Sequence, residues 1–223
     1  MYMYRTKGIN KMDRFIHFIS KERANAYKLS DTETPQDVLN RYLLNIELGQ
    51  AFYPILNELE IALRNRINDI FIADFGVDWI INNNFFDEQL KQTVKELLVR
   101  LNKKHKDITN YRLVSELNFG FWSSLFNNNC NVLWQQKNRV SRVFGAPKTD
   151  IKTINRELNT IRQFRNRIFH FETLYNHNPK YCHDLMVKYV GSITNKEFIK
   201  VFGDLDSVDK VLEKLENLKN TRE

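Results

Sequence analysis

Three features of the sequence predict an all-α fold. Only 7 Gly and 4 Pro interrupt 223 residues, too few breakers for a many-stranded sheet. Apolar residues recur at three- and four-residue spacing over long stretches, the pattern of amphipathic helices. Strand-type alternation is sparse. A hydrophobic fraction of 42% suffices for a packed core, and the length fits one domain over residues 1–223. We place its core at about 35–190, between an N-terminal extension (1–34) and a C-terminal helical segment (191–223).

The elements follow in order. Thr34-Pro35-Gln36-Asp37 is a helix start: a Thr cap, Pro at the first position and an acid three residues after the cap. Helical spacing continues through Leu39, Leu43, Ile46, Leu56, Leu59, Leu63, Ile67, Ile70 and Phe71. Pro54, with Gly49 nearby, is expected to kink or split this segment, and Gly76 to end it. Residues 87–104 form the next helix, with Leu90, Val94, Leu97, Leu98 and Leu101 on one side. Its basic exit (Lys103, Lys104, His105, Lys106) suits a solvated helix end. Residues 113–126 read as one buried helix, in which Phe121, Trp122 and Phe126 are core rather than base-stacking groups. Ile151, Ile154, Leu158, Ile161 and Ile168 mark a further helix. Val208, Val211, Leu215 and Leu218 mark a short amphipathic one that packs on the body or on a second subunit.

The charge of +7 points to an anionic partner, of which nucleic acid is the usual one. Cys130 and Cys182 have no metal-type or disulfide-type spacing. The N-terminus lacks the apolar run of a signal peptide, and no apolar segment reaches the roughly 20 residues that cross a bilayer. A cytoplasmic protein without membrane contact is expected.

The run Arg-Asn-Arg-Ile occurs twice, at residues 64–67 and 165–168, and only the second continues to a histidine, His170; Asp69 fills the equivalent place in the first. A bare R-x4-H spacing is weak, since Arg100 and His105 satisfy it too. The later copy differs in having Asn directly after the Arg and Ile168, Phe169 and Phe171 interleaved with the polar residues, a context that positions polar groups. At about 100° per residue, Asn155, Asn159, Arg162, Asn166 and His170 form one polar stripe, with Arg167 on its shoulder. Arg165 falls on the opposite side with Ile154, Leu158, Ile161 and Ile168, roughly 140° from His170. One site uses both only if the helix ends or distorts there, or if a second chain brings its own copy. Arg165 otherwise reads as a buried guanidinium needing a carboxylate. Glu60, one turn before Arg64, is placed for an ordinary i,i+4 pair with it.

The run RNRIFH resembles the R-N-x-x-x-H motif of HEPN-domain ribonucleases. The stretches YLLNIELGQAFYPILNELEIALRNRINDIF, VSELNFGFWSSLF and FRNRIFHFE, with the helix before Arg165, resemble the Abi-like (abortive infection) family of bacterial phage-defence proteins. In that family both RNR runs recur and only the later ends in His. The resemblance implies a HEPN-like helical bundle with additional peripheral helices, and a homodimer that cleaves RNA. It implies Arg165, Asn166 and His170 as catalytic residues, with Arg162, Arg167, Arg64 and Asn65 binding RNA or supporting the site. Arg64 and Asn65 either brace the Arg165 helix or line the RNA groove. The implied chemistry is metal-independent, with no cofactor, and an antitoxin or regulatory protein is a candidate partner. Some HEPN toxins carry a modifiable Tyr two residues after the His; Glu172 stands there in this chain. Two alternatives stay open: a non-catalytic RNA-binding or regulatory helical protein, and a metal enzyme using His170, Glu172, His177 and His183, whose spacing matches no standard ligand set.

Overall fold

In a computed structural model, described for residues 11–30, 32–82, 84–145, 150–194, 203 and 206–220, the described residues form helices without strands. Residues 1–10 of the N-terminal extension and 195–202 of the C-terminal segment lie outside them, as does the side chain of Leu218. Two short helices come first, α1 (Lys11–Ile19) and α2 (Lys21–Asn25), followed by α3 (Pro35–Phe75). Next are α4 (Glu88–Lys103), α5 (Asn110–Glu116), α6 (Phe119–Ser124), a 3₁₀ turn (Asn128–Leu133) and α7 (Arg139–Phe144). The chain closes with α8 (Ile151–Phe169), α9 (Pro179–Ile193) and α10 (Val208–Asn220).

The 41 residues of α3 make it the axis of the fold, a rod of about 60 Å at 1.5 Å per residue. Its start is the expected capping box: Thr34 Oγ1 accepts from Asp37 N, and Asp37 in turn accepts from Thr34 N. Of the two outcomes expected at Pro54, the split does not occur, and the helix continues through the proline. A proline removes one ladder bond and crowds the carbonyl four residues back, yet Leu48, Ala51, Phe52, Ile55, Leu56 and Leu59 are buried on both sides of it. That burial outweighs one broken turn. The first turns also depart from the apolar spacing. Leu43 and Ile46 are exposed, while Arg41 and Asn45 are buried. The polar pair is needed inside, because Arg41 donates to Tyr27 O and pairs with Glu33, and Asn45 bonds the chain beyond α8.

Residues 113–126 form two helices rather than one. Leu117 is extended, and Asn118 caps α6 by accepting from Phe121 N at 3.2 Å. Phe121, Trp122 and Phe126 are buried, as expected of core. α9 and α10 both pack on α3, and Val208, Val211 and Leu215 are buried there. α1 and α2 dock on the start of α3 through a small separate cluster, Ala24, Tyr27 and Val38.

Two carboxylates on α3 have opposite fates. Burial alone would raise the Asp74 carboxyl. Hydrogen bonds from Arg139 Nε (2.6 Å), Arg142 Nη1 (2.8 Å) and Lys137 Nζ (3.3 Å) outweigh it and hold it at about 2. Glu58 is buried with neither oxygen hydrogen-bonded, and burial raises its carboxyl.

The two signatures are separable by pH. The depressed Asp74 stabilises the fold above the ordinary Asp value of about 3.9, and that contribution is lost as pH falls toward 2. Asp74→Asn should therefore lower Tm at pH 7 and flatten the acid limb of Tm against pH. The raised Glu58 has the reverse sign, with its penalty absent at low pH and growing as pH rises through the folded value. Glu58→Met should raise stability at pH 7 by about 1 kcal/mol, and chemical denaturation would show no gain if Glu58 is harmless.

Candidate functional site

The second RNRI run lies at the end of α8, which packs by Ile154, Leu158, Ile161 and Phe164. Phe164 meets Phe52 of α3 with ring centroids 4.7 Å apart. A Cβ on Gly49 would stand 3.8 Å from Ile168 and 3.7 Å from Leu174, so α3 runs directly beside the motif and the chain that leaves it. The i→i−4 ladder persists to His170, whose N–H donates to Asn166 O at 2.9 Å. His170 is the C-cap, and Phe171 then takes a left-handed backbone with φ 58°. Phe171 N donates to Ile168 O (3.1 Å) and Glu172 N to Arg167 O (2.9 Å). These two bonds define a Schellman motif, whose left-handed residue is most often Gly.

The turn is held from two more directions. Arg167 Nη1 donates to Glu172 Oε2 at 2.6 Å. The buried Asn45 of α3 donates to Glu172 O (3.0 Å) and to Tyr27 OH (3.2 Å), while its own oxygen accepts from Leu174 N (2.7 Å). A buried amide with this many partners fixes both itself and the segment it bonds. Nothing in residue spacing signals this clamp; the only local hint is an Asn one turn after an Arg on an otherwise apolar stretch.

Helical geometry divides the motif as its spacing implies. Asn166 and His170 share a face and are both exposed. Arg165 points the other way, toward α3. Its guanidinium lies 4.3 Å over the Phe169 ring, and Nη2 is 3.9 Å from Glu60 Oε2. Its Nε is buried without a hydrogen-bond partner. The carboxylate expected for Arg165 is thus Glu60, too distant for a hydrogen bond. The expected Glu60–Arg64 pair does not form, since Glu60 turns to Arg165 and Arg64 Nε reaches Asn65 Oδ1 at 3.4 Å. Two helices converge on one carboxylate here, and the guanidinium stacked on Phe169 is the one beside it.

The remaining candidates bond to other groups. Arg162 donates to Ser124 Oγ of α6 at 3.3 Å. In the first RNRI run, Arg64 is partly exposed and Asn65 exposed, and Arg66 bonds the Arg142 carbonyl of α7 at 2.9 Å. Glu60, one turn before Arg64, is the residue of α3 that meets the second run, through Arg165. The set His170, Glu172, His177 and His183 does not converge: Glu172 pairs with Arg167, and His183 Nε2 lies 2.7 Å from Asp206 Oδ2. Burial and the Arg167 guanidinium hold the His177 imidazole below its ordinary value, with Glu172 opposing. Two concave surfaces along α4, lined by Lys95, Arg100 and Glu116 among others, do not include the motif. At the other R-x4-H spacing, Arg100 bonds Glu116 at 3.2 Å, and His105 is the left-handed residue after the cap.

A protein-family model described as "Abi-like protein" matches residues 5–176. Neither a search of curated proteins nor one of solved structures finds a match. Among the described residues no helix is long and apolar enough to cross a membrane.

The Phe171 backbone yields a stability test. A left-handed L-residue costs roughly 1–2 kcal/mol, and an exposed ring regains little of that by burial. Phe171→Gly should stabilise the fold by about 1 kcal/mol, raising Tm by about 2–4 °C. An unchanged or lower Tm would mean that the ring contributes packing.

Proposed function

We propose that this chain, which belongs to the Abi-like protein family, is a metal-independent endoribonuclease of the HEPN type that acts in phage defence by abortive infection or as a toxin. One observation carries this reading. The side chains of Arg165, Asn166 and His170 make no hydrogen bond to other described residues, although Arg162, Arg167, Glu172 and Asn45 around them are all bonded. Polar groups held by a rigid turn with their bonding capacity unspent are what a ligand requires.

In the reaction, the ribose 2′-oxygen attacks the adjacent phosphorus as its proton passes to a base. The bond to the 5′-oxygen breaks as an acid protonates that oxygen, leaving a 2′,3′-cyclic phosphate and a 5′-OH. His170 is suited to either proton transfer. Arg165, preoriented by its stack on Phe169, offers its terminal nitrogens to the non-bridging oxygens, its Nε being buried. Asn166, one turn from His170, is placed to orient the imidazole or to bind a phosphate oxygen. Arg162, Arg167, Arg64 and Asn65 extend the cationic and polar surroundings. Arg165 and His170 lie roughly 140° apart on a helix that stays regular to its cap. A two-fold dimer supplies both groups to one phosphate and provides the second histidine that two proton transfers call for. The same separation within one chain favours a second reading, a non-catalytic RNA-binding or regulatory protein.

End-labelled RNA incubated in EDTA separates the two. Wild type should yield fragments with cyclic-phosphate and 5′-OH ends. His170→Ala should lose activity by about 10²–10⁴-fold, with Tm changed little because His170 is exposed. Arg165→Ala should be as inactive, and mixing it with His170→Ala should not restore cutting, since the mixed dimer keeps one histidine where two proton transfers call for two. RNA binding that survives His170→Ala, with no cutting by wild type, would select the second reading.

A further inference from the structure

Phe169 and Phe171 flank His170 and are 47% and 72% exposed. Elsewhere α8 buries its aromatic: Phe164 is 2% exposed against Phe52. Phe171 is the large apolar side chain among the described non-glycine residues with positive φ. Its conformation therefore gains neither from burial nor from the backbone. It persists because the turn is over-determined by the Arg167–Glu172 pair, the Asn45 clamp and the two closing hydrogen bonds. A strained residue held this way at a site is a reason to look for a ligand.

The ligand is suggested by what adjoins the two rings. Arg165 covers the Phe169 ring, and Arg167 in the last turn pairs with Glu172, the residue after Phe171. Exposed rings on a helix end that carries guanidinium groups complement a flat aromatic group attached to negative charge. A nucleobase on its phosphodiester backbone has that chemistry. The second copy of the proposed dimer brings the same guanidinium groups to the site, so it is the poorer occupant of the ring's face. Only an unpaired base has a face free for a protein ring.

We infer that Phe171 stacks on the nucleobase beside the scissile phosphate and so restricts the site to single-stranded RNA, while Phe169 serves as the seat of Arg165. The inference rests on the ribonuclease function proposed above.

Phe171→Trp tests it directly. The native Trp79, Trp122 and Trp134 are 3%, 0% and 6% exposed, so an indole at 171 is the solvent-facing reporter. The probe is a short, fluorescently end-labelled oligoribonucleotide with 2′-O-methyl groups, which binds without being cut. Its anisotropy reports binding independently of the indole. Saturable quenching by the single strand is expected, with none from an abasic version or from the same sequence in a duplex. In parallel, Phe171→Ala should weaken single-strand affinity about tenfold or more and Phe171→Tyr should restore it. Binding without quenching, or full affinity in Phe171→Ala, would overturn the stacking role and leave the ribonuclease function standing. No binding by any variant would remove both. Indole quenching that grows with protein concentration in the absence of RNA would reassign the ring to contact between two copies of the chain.

Discussion

Between Thr34 and Gly76 the backbone runs helical through a proline, and the rest of the molecule takes its position from that helix. Asn45 at one level of α3 bonds the chain after His170, and Gly49 and Phe52 receive α8. Further along, Glu60 meets Arg165, Arg66 bonds the end of α7, and Asp74 gathers Arg139, Arg142 and Lys137. A break at Pro54 would separate the Asn45 clamp from the Glu60 contact, which hold the two sides of one motif. What prevents the break is burial on both sides of the proline, since helix propensity disfavours it. The site thus depends on a helix whose continuity is a tertiary property.

This explains which parts were legible in the sequence. The Thr34 capping box, the Asp87 cap and the apolar stripes of α4 and α8 are local, and local rules find them. The break before α6 was also legible: Asn118 ahead of Phe119 is a preferred cap, outweighed in a pattern reading by the apolar residues around it. Pro54, the buried Arg41 and Asn45, and the choice of Glu60 between Arg64 and Arg165 were not legible. Each depends on a partner far along the chain, which i,i+4 spacing cannot represent. The left-handed Phe171 was hidden for a related reason. Residue preference puts Gly at that position, and only the assembled turn shows that an aromatic holds it.

The same contrast accounts for a chain that repeats RNRI and completes only one copy. The first run lies inside α3, where the helix continues to Phe75 and Asp69 falls on an exposed face. A histidine there would be an ordinary surface group in mid-helix. The second run ends its helix, so the residue five after Arg165 is a C-cap, exposed and followed by a rigid turn. One run braces the scaffold through Arg66, and the other presents side chains at a terminus.

Pairing separates the two R-x4-H spacings more sharply than pattern does. Arg100 bonds a carboxylate at 3.2 Å, so its charge is already answered. Arg165 has a carboxylate at 3.9 Å and an aromatic face at 4.3 Å, which orient the guanidinium while its Nε stays buried without a partner. A stack of this kind leaves the terminal nitrogens as the donors available to an anion. In the proposed ribonuclease Glu60 would set a threshold. The loose pair would leave positive charge for a phosphate, and its nearness would limit the repulsion between two such arginines in the proposed dimer. A tighter pair would quench the site, and a more distant one would make its assembly costlier.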